Sequence, residues 1–146
     1  MTEILFYTFA GEPLDVARRI AAKACGQGKH VMIYAPDTAV ADAIDRLLWT
    51  TPALGFVPHC RDSDALAGET PVLIGTDADA VRQADVMINL HTEQPPAFAR
   101  FERLVEIIGL DEAGVEQGRE RYRFYKSRGY ALQTHDLRQH TGQEAR

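Results

Sequence analysis

The chain has 146 residues, 45% of them apolar, and a net charge of −5, which fits one soluble α/β-sized domain with a single core. No apolar run approaches the roughly 18 residues of a membrane span, and the negative balance argues against non-specific nucleic-acid binding by the whole surface. Met1-Thr2-Glu3-Ile4 has no basic stretch leading into an apolar one, and Cys25 and Cys60 lack metal-ligand spacing, so a reducing, cytoplasmic setting is expected.

Residues 4–8 (Ile-Leu-Phe-Tyr-Thr) read as a central strand covered on both faces. Glu12-Pro13 opens a helix, with proline suited to the first turn, and Leu14, Ala17, Ile20, Ala21 and Ala24 recur at helical spacing until Gly26 or Gly28. Residues 31–35 read as a second buried strand, and Asp37-Thr38 caps a helix running through Ile44 and Leu47-Leu48 into Trp49. Further strands are expected at 72–74, closed by Gly75, and at 86–90, with a charged turn or short helix between Asp77 and Asp85. Residues 98–108 read either as a helix or as a short helix running into a strand at 103–108, because periodicity does not separate the two. A last helix begins at Asp111 and ends at Arg128-Gly129, and 131–134 can supply a final edge strand. The alternation predicts an α/β fold: one three-layer domain over 1–138 with a mostly parallel central sheet, followed by a polar tail at 139–146.

One connection breaks the expected pattern. Leu47-Leu48-Trp49-Thr50-Thr51-Pro52-Ala53-Leu54-Gly55-Phe56-Val57-Pro58-His59 is aromatic and stiff where an α/β domain usually has a short polar loop. Trp49, Leu54 and Phe56 either fold back onto the core or form an apolar patch that another protein covers.

Sites with recognisable chemistry are sparse. The first strand is followed by Phe9-Ala10-Gly11-Glu12-Pro13, with neither of the glycine patterns that cradle a pyrophosphate; Glu12 adds negative charge there and Pro13 removes a donor. No phosphate-binding loop and no cofactor are therefore expected. His59-Cys60 has no second pair to complete a metal or thiol site, and Asp77, Asp79 and Asp85 lack the turn glycine and terminal glutamate of a calcium loop. No catalytic constellation stands out.

The last helix is better defined. Between Arg119 and Arg128 the local charge is +4, leaving −9 for the rest of the chain. At about 100° per residue, Val115, Gly118, Tyr122 and Tyr125 form a core-facing stripe. Arg119, Arg123 and Lys126 follow one edge of it, Arg121 and Arg128 the other, while Phe124 points away from the stripe. Cations beside tyrosine rings can be a solvated face whose stems cover apolar surface. They can equally receive a carboxylate attached to an apolar side chain, or a phosphate.

Two stretches together resemble the chi subunit of bacterial DNA polymerase III: Leu48-Trp49-x-x-Pro52-x-x-x-Phe56-Val57-Pro58-His59 and Arg119-x-Arg121-Tyr122-Arg123-x-Tyr125-Lys126-x-x-Gly129-Tyr130. Their order, their spacing and the chain length match, so the resemblance spans nearly the whole chain. It implies a Rossmann-like fold without the phosphate loop and a non-enzymatic adaptor of the clamp-loader complex. The implied partners are the psi subunit and the acidic C-terminal tail of single-stranded-DNA-binding protein, with DNA reached only indirectly. By position, Trp49, Pro52, Phe56 and Pro58, with His59 as a neighbour, belong to the psi side. Arg119 and Tyr122, with Arg123 and Lys126 beside them, belong to the tail site. Val115 departs from the family, which often has a basic residue one turn before Arg119, and Arg123 is the nearby cation able to compensate.

Two other readings follow from the residues. A small α/β enzyme holding an anionic substrate with Arg119 and Arg123 needs a polar pocket at the strand ends, drawing on Asn89 and His91. A direct single-strand binder stacking bases on Tyr122 and Tyr125 needs those rings exposed.

Overall fold

Three consecutive residues drawn from Val, Ile, Leu and Met have no face suited to water, so they are driven between layers. This is the situation of β2 (Val31–Tyr34), β4 (Val72–Gly75) and β5 (Val86–Asn89), in which every residue is buried. With β1 (Glu3–Thr8), β3 (His59–Arg61), β6 (Arg103–Ile107) and β7 (Ala131–Asp136) they form a seven-stranded sheet of order β3-β4-β2-β5-β6-β1-β7. Every pairing is parallel. The computed structural model describes residues 2–50, 58–61, 70–76, 85–95 and 97–139.

Among the described residues three α-helices cover the sheet: α1 (Pro13–Gly26), α2 (Thr38–Thr50) and α3 (Glu112–Ser127). Local chemistry fixes their ends. Pro13 begins α1, where its preset φ and missing N–H do no harm. The Asp37 carboxylate accepts from the Val40 N–H at 2.9 Å, and Asp111 accepts from the Gly114 N–H at 2.9 Å, each satisfying an orphan donor. Gly129, at φ +85°, turns the chain from α3 into β7.

The pleat divides the apolar groups between two layers. Val31, Ile33, Val72, Ile74, Val86, Ile88 and Val105 point towards α1 and α2, where they meet Ala17, Ala21, Ala41, Ile44 and Leu48. Ile4, Phe6, Met32, Leu73, Met87 and Leu104 point the other way and meet Phe101, Ile108 and Tyr125 under α3. Three layers result, in agreement with the alternation of the sequence.

Some elements differ from expectation. β3 begins at His59, the last residue of what reads as the aromatic loop; it is three residues long and among the described residues pairs only with β4. Residues 98–108 divide into a 3-10 turn at Phe98–Arg100 and the strand β6. The neighbours decided that ambiguity, since β5 and β1 flank the segment and take its backbone groups. The expected turn or helix between Asp77 and Asp85 falls largely outside the described residues, as do Pro52, Phe56 and the polar tail from 140 onward.

The topology has one consequence for binding. β1 and β6 lie side by side and parallel, yet the chain leaves β1 for α1 on one face and β6 for α3 on the other. Adjacent strands whose continuations diverge leave a crevice at their carboxyl ends, the usual ligand position in open α/β sheets.

Candidate functional site

A cleft of about 360 Å³ occupies that crevice. Phe6, Thr8 and Phe9 come from β1 and its exit, Ile108 and Gly109 from the exit of β6, and Thr134 and Asp136 from β7. Helix α3 closes the remaining side with Val115, Gly118, Arg119 and Tyr122. Gly118 permits the close approach, because a Cβ there lies 2.5 Å from the Ile108 Cδ1. The Tyr122 ring is half-buried and packs edge-on against Phe6 with centroids 5.3 Å apart. The walls are thus mainly aromatic and aliphatic, with Arg119 the cation from α3 among them.

Of the four residues expected at a basic site, the structure places Arg119 and Tyr122 on the cleft itself. Arg123 lies one turn further along the same helix edge. Lys126 is seven residues from Arg119, about 10 Å along the axis at 1.5 Å per residue, and has no ion pair among the described residues. Glu116 stands 3.5 Å from Arg119 and 3.6 Å from Arg123, with all three side chains more than half exposed. Pairs of this kind contribute about 0–1 kcal/mol, so an incoming carboxylate can replace Glu116 readily.

Arg121 requires a correction. Its edge position on the helix suggests a surface cation, but it is only 6% exposed. Its Nε donates to Glu106 Oε1 at 3.0 Å and its Nη1 to the Thr92 carbonyl at 2.6 Å. The Tyr125 hydroxyl donates to Glu106 Oε2 at 2.6 Å, and Asn89 Nδ2 donates to both carboxylate oxygens at 3.1 Å. Burial pushes the Glu106 carboxyl above the ordinary carboxylate range, against the pull of Arg121 and its hydrogen bonds. Tyr125 is also raised, first by burial and then by the neighbouring carboxylate. The basic edge available to a partner is therefore smaller than the charge count along the helix implies. Phe124, whose angle points it away from the core-facing stripe, is half-buried against Tyr125 and lies under the Arg128 guanidinium at 4.9 Å.

The network also accounts for Asn89 and His91. Asn89 is occupied by Glu106, by the Glu93 carbonyl at 3.1 Å and by the His91 N–H at 3.0 Å. His91 Nδ1 accepts from the Thr92 N–H at 2.9 Å, and its ring stacks on Tyr34. Neither residue lines the cleft. Tyr125 is fully buried, so the exposed stacking pair needed by a single-strand binder is not present.

Trp49 lies elsewhere. In the last turn of α2 it is 58% exposed, and its ring meets His59 edge-on at 5.1 Å. The buried His59 side chain lies at the start of β3 with Nε2 3.1 Å from Asp45 Oδ1, so the indole rests on a buried imidazole. Pro58 is exposed beside it in the chain. Arg61 pairs with Asp42 next to this surface. The cleft is at the other end of the sheet order, next to β7.

Sequence reasoning passes over Phe9, Ile108, Gly109, Thr134 and Asp136. The signal common to all but Thr134 is position, since Phe9, Ile108, Gly109 and Asp136 each lie at or just beyond the carboxyl end of a strand, whereas Thr134 lies within β7 beside Phe6. Glu106 carries a separate signal: an acid inside Leu-Val-Glu-Ile-Ile must find a buried partner.

Comparison with known proteins gives a consistent result. Residues 1–133 match the family model described as DNA polymerase III chi subunit, HolC. The DNA polymerase III subunit chi of Pseudomonas aeruginosa is 34% identical over 142 residues, covering 94% of this chain and 98% of that relative. The proteins of the same name from Haemophilus influenzae and Escherichia coli are each 31% identical; the alignments cover 84% and 79% of this chain, and 86% and 79% of the relatives.

Proposed function

The chain belongs to the DNA polymerase III chi subunit family, and from that premise we propose that it is a non-catalytic, cytoplasmic adaptor of the clamp-loader complex. In this reading the α3 cleft takes the acidic C-terminal tail of single-stranded-DNA-binding protein, and the Trp49 surface docks the psi subunit. DNA is reached through the tail-bearing protein. The observation that carries the tail assignment is the cleft, which joins apolar walls of the right size for one aromatic ring to Arg119 and the Tyr122 edge. A peptide ending in phenylalanine has a ring for the walls and a free carboxylate for the guanidinium. Upstream acids can follow Arg123 and Lys126 along the helix. An exposed indole fixed on a buried histidine suits a protein–protein contact, since Trp is enriched at interface centres.

The enzyme reading retains the crevice, which is where small-molecule sites form in such sheets. It is less favoured because Asn89 and His91, the polar groups it needs, are engaged in holding the loop after β5.

The test is a fluorescence-anisotropy titration with a labelled acidic peptide ending in Asp-Phe. Saturable binding is expected, weakening as salt rises because the paired charges are solvent-exposed. Arg119→Ala and an amidated peptide should each weaken it at least about tenfold, in the range for losing one charge-assisted contact. Absence of binding by the unaltered chain at low salt overturns the tail assignment.

A further inference from the structure

We infer that Phe9 is a ligand-binding residue of the cleft, the wall against which the terminal aromatic ring of an acidic peptide is held; this rests on the peptide reading above. Phe9 has φ +59° and is the one non-glycine residue with positive φ among the described residues. A bulky L side chain is disfavoured in that region, and such strain persists where the surroundings impose it, commonly at ligand sites. The surroundings here are rigid. Thr8 ends β1, and the buried Ala10 bonds through its N–H to the Ile108 carbonyl at 2.9 Å. Between these fixed points the left-handed turn leaves the ring 39% exposed and lining the cleft.

The ring also has a cation beside it. The Arg138 guanidinium carbon lies 3.5 Å from the Phe9 centroid. Asp136, itself a cleft residue, holds Arg138 through Nε at 3.1 Å and Nη2 at 2.7 Å. Phe9 is thereby kept in place by cation–π contact without being packed into the interior. A ring held between the crevice and a guanidinium, with Arg119 supplied separately by α3, fits an aromatic residue that carries its own carboxylate. Packing alone gives no reason for a strained backbone that leaves an aromatic partly in water.

Strain and binding can be separated by substitution in the full chain. Asparagine tolerates the left-handed region, so Phe9→Asn removes the ring and relieves the backbone together. Phe9→Asn is expected to melt at or above the parent temperature while binding the Asp-Phe peptide at least tenfold more weakly. Phe9→Tyr, which keeps the ring, should bind within twofold of the parent. Peptide affinity of Phe9→Asn within twofold of the parent overturns the inference, and so does a marked drop in its melting temperature, which makes the ring a packing group. Binding that is lost in Arg119→Ala but kept in Phe9→Asn removes this inference alone. A parent chain that does not bind the peptide removes the peptide reading and this inference with it.

Discussion

Glu106 has no exposed surface and sits in the middle of β6, receiving donors from Arg121, Tyr125 and Asn89. Three groups on two elements, α3 and β5, depend on this one carboxylate. Glu106→Ala leaves the Arg121 cation buried with the Thr92 carbonyl as its described acceptor, and a broken buried pair costs about 3–5 kcal/mol; urea unfolding should show a loss of that size. The pH dependence has a definite sign. Because burial raises the native-state carboxyl, the native protein keeps this proton at a pH where the unfolded chain has released it. The unfolded state then binds fewer protons, and stability falls as pH rises through the native value. Unfolding of the parent and Glu106→Gln over about pH 5 to 8 should show the parent losing stability relative to the variant as pH increases. A difference that grows in the other direction means Arg121 dominates burial.

At the scale of elements, α3 does two jobs that depend on its rotation about its own axis. One side of the stripe carries Arg121 and Tyr125 into the Glu106 network, and the other carries Arg119 and Tyr122 to the cleft. Gly118, between them, lets the helix approach Ile108. Gly118→Leu must therefore displace the helix or fill the cleft. It should destabilise by about 1–3 kcal/mol, the range for overpacking, and reduce peptide affinity, as read from the denaturant midpoint and the anisotropy titration. Much of α3 is legible from its residues: Asp111 as cap, the cationic last turn, Gly129 as stop, and the apolar arc. The depth of Arg121 is not, because the angle of an edge position is the same whether its end meets water or a carboxylate on β6. β3 is also illegible, since three residues of mixed polarity give no period and their strand character comes only from β4 alongside.

For the molecule as a whole, the two proposed surfaces lie at different ends of one sheet. β3 and β7 are its two edges, six strand spacings or about 29 Å apart at 4.8 Å each. Sites so separated and lacking shared partners should contribute additively. Trp49→Ala is expected to weaken capture of the psi subunit and leave peptide affinity within about twofold; Arg119→Ala should do the reverse, and the double variant should show the sum. Loss of peptide binding in Trp49→Ala contradicts this division and brings the aromatic surface into the tail site.

The sequence by itself determined the local order of the chain. Apolar runs between glycines and caps identify most of the described strands and each of α1, α2 and α3, because burial period and capping chemistry act within a few residues. It also carried the paired motifs by which the family is recognised. The crevice was decided only by the tertiary structure. Phe9, Ile108 and Thr134 are scattered along the chain and carry no common motif; they meet because β1 lies between β6 and β7 while α1 and α3 depart to opposite faces. Periodicity reports which face of an element avoids water. Which elements share that refuge, and where they part to leave a cleft, follows from strand order, and strand order is set by long-range pairing.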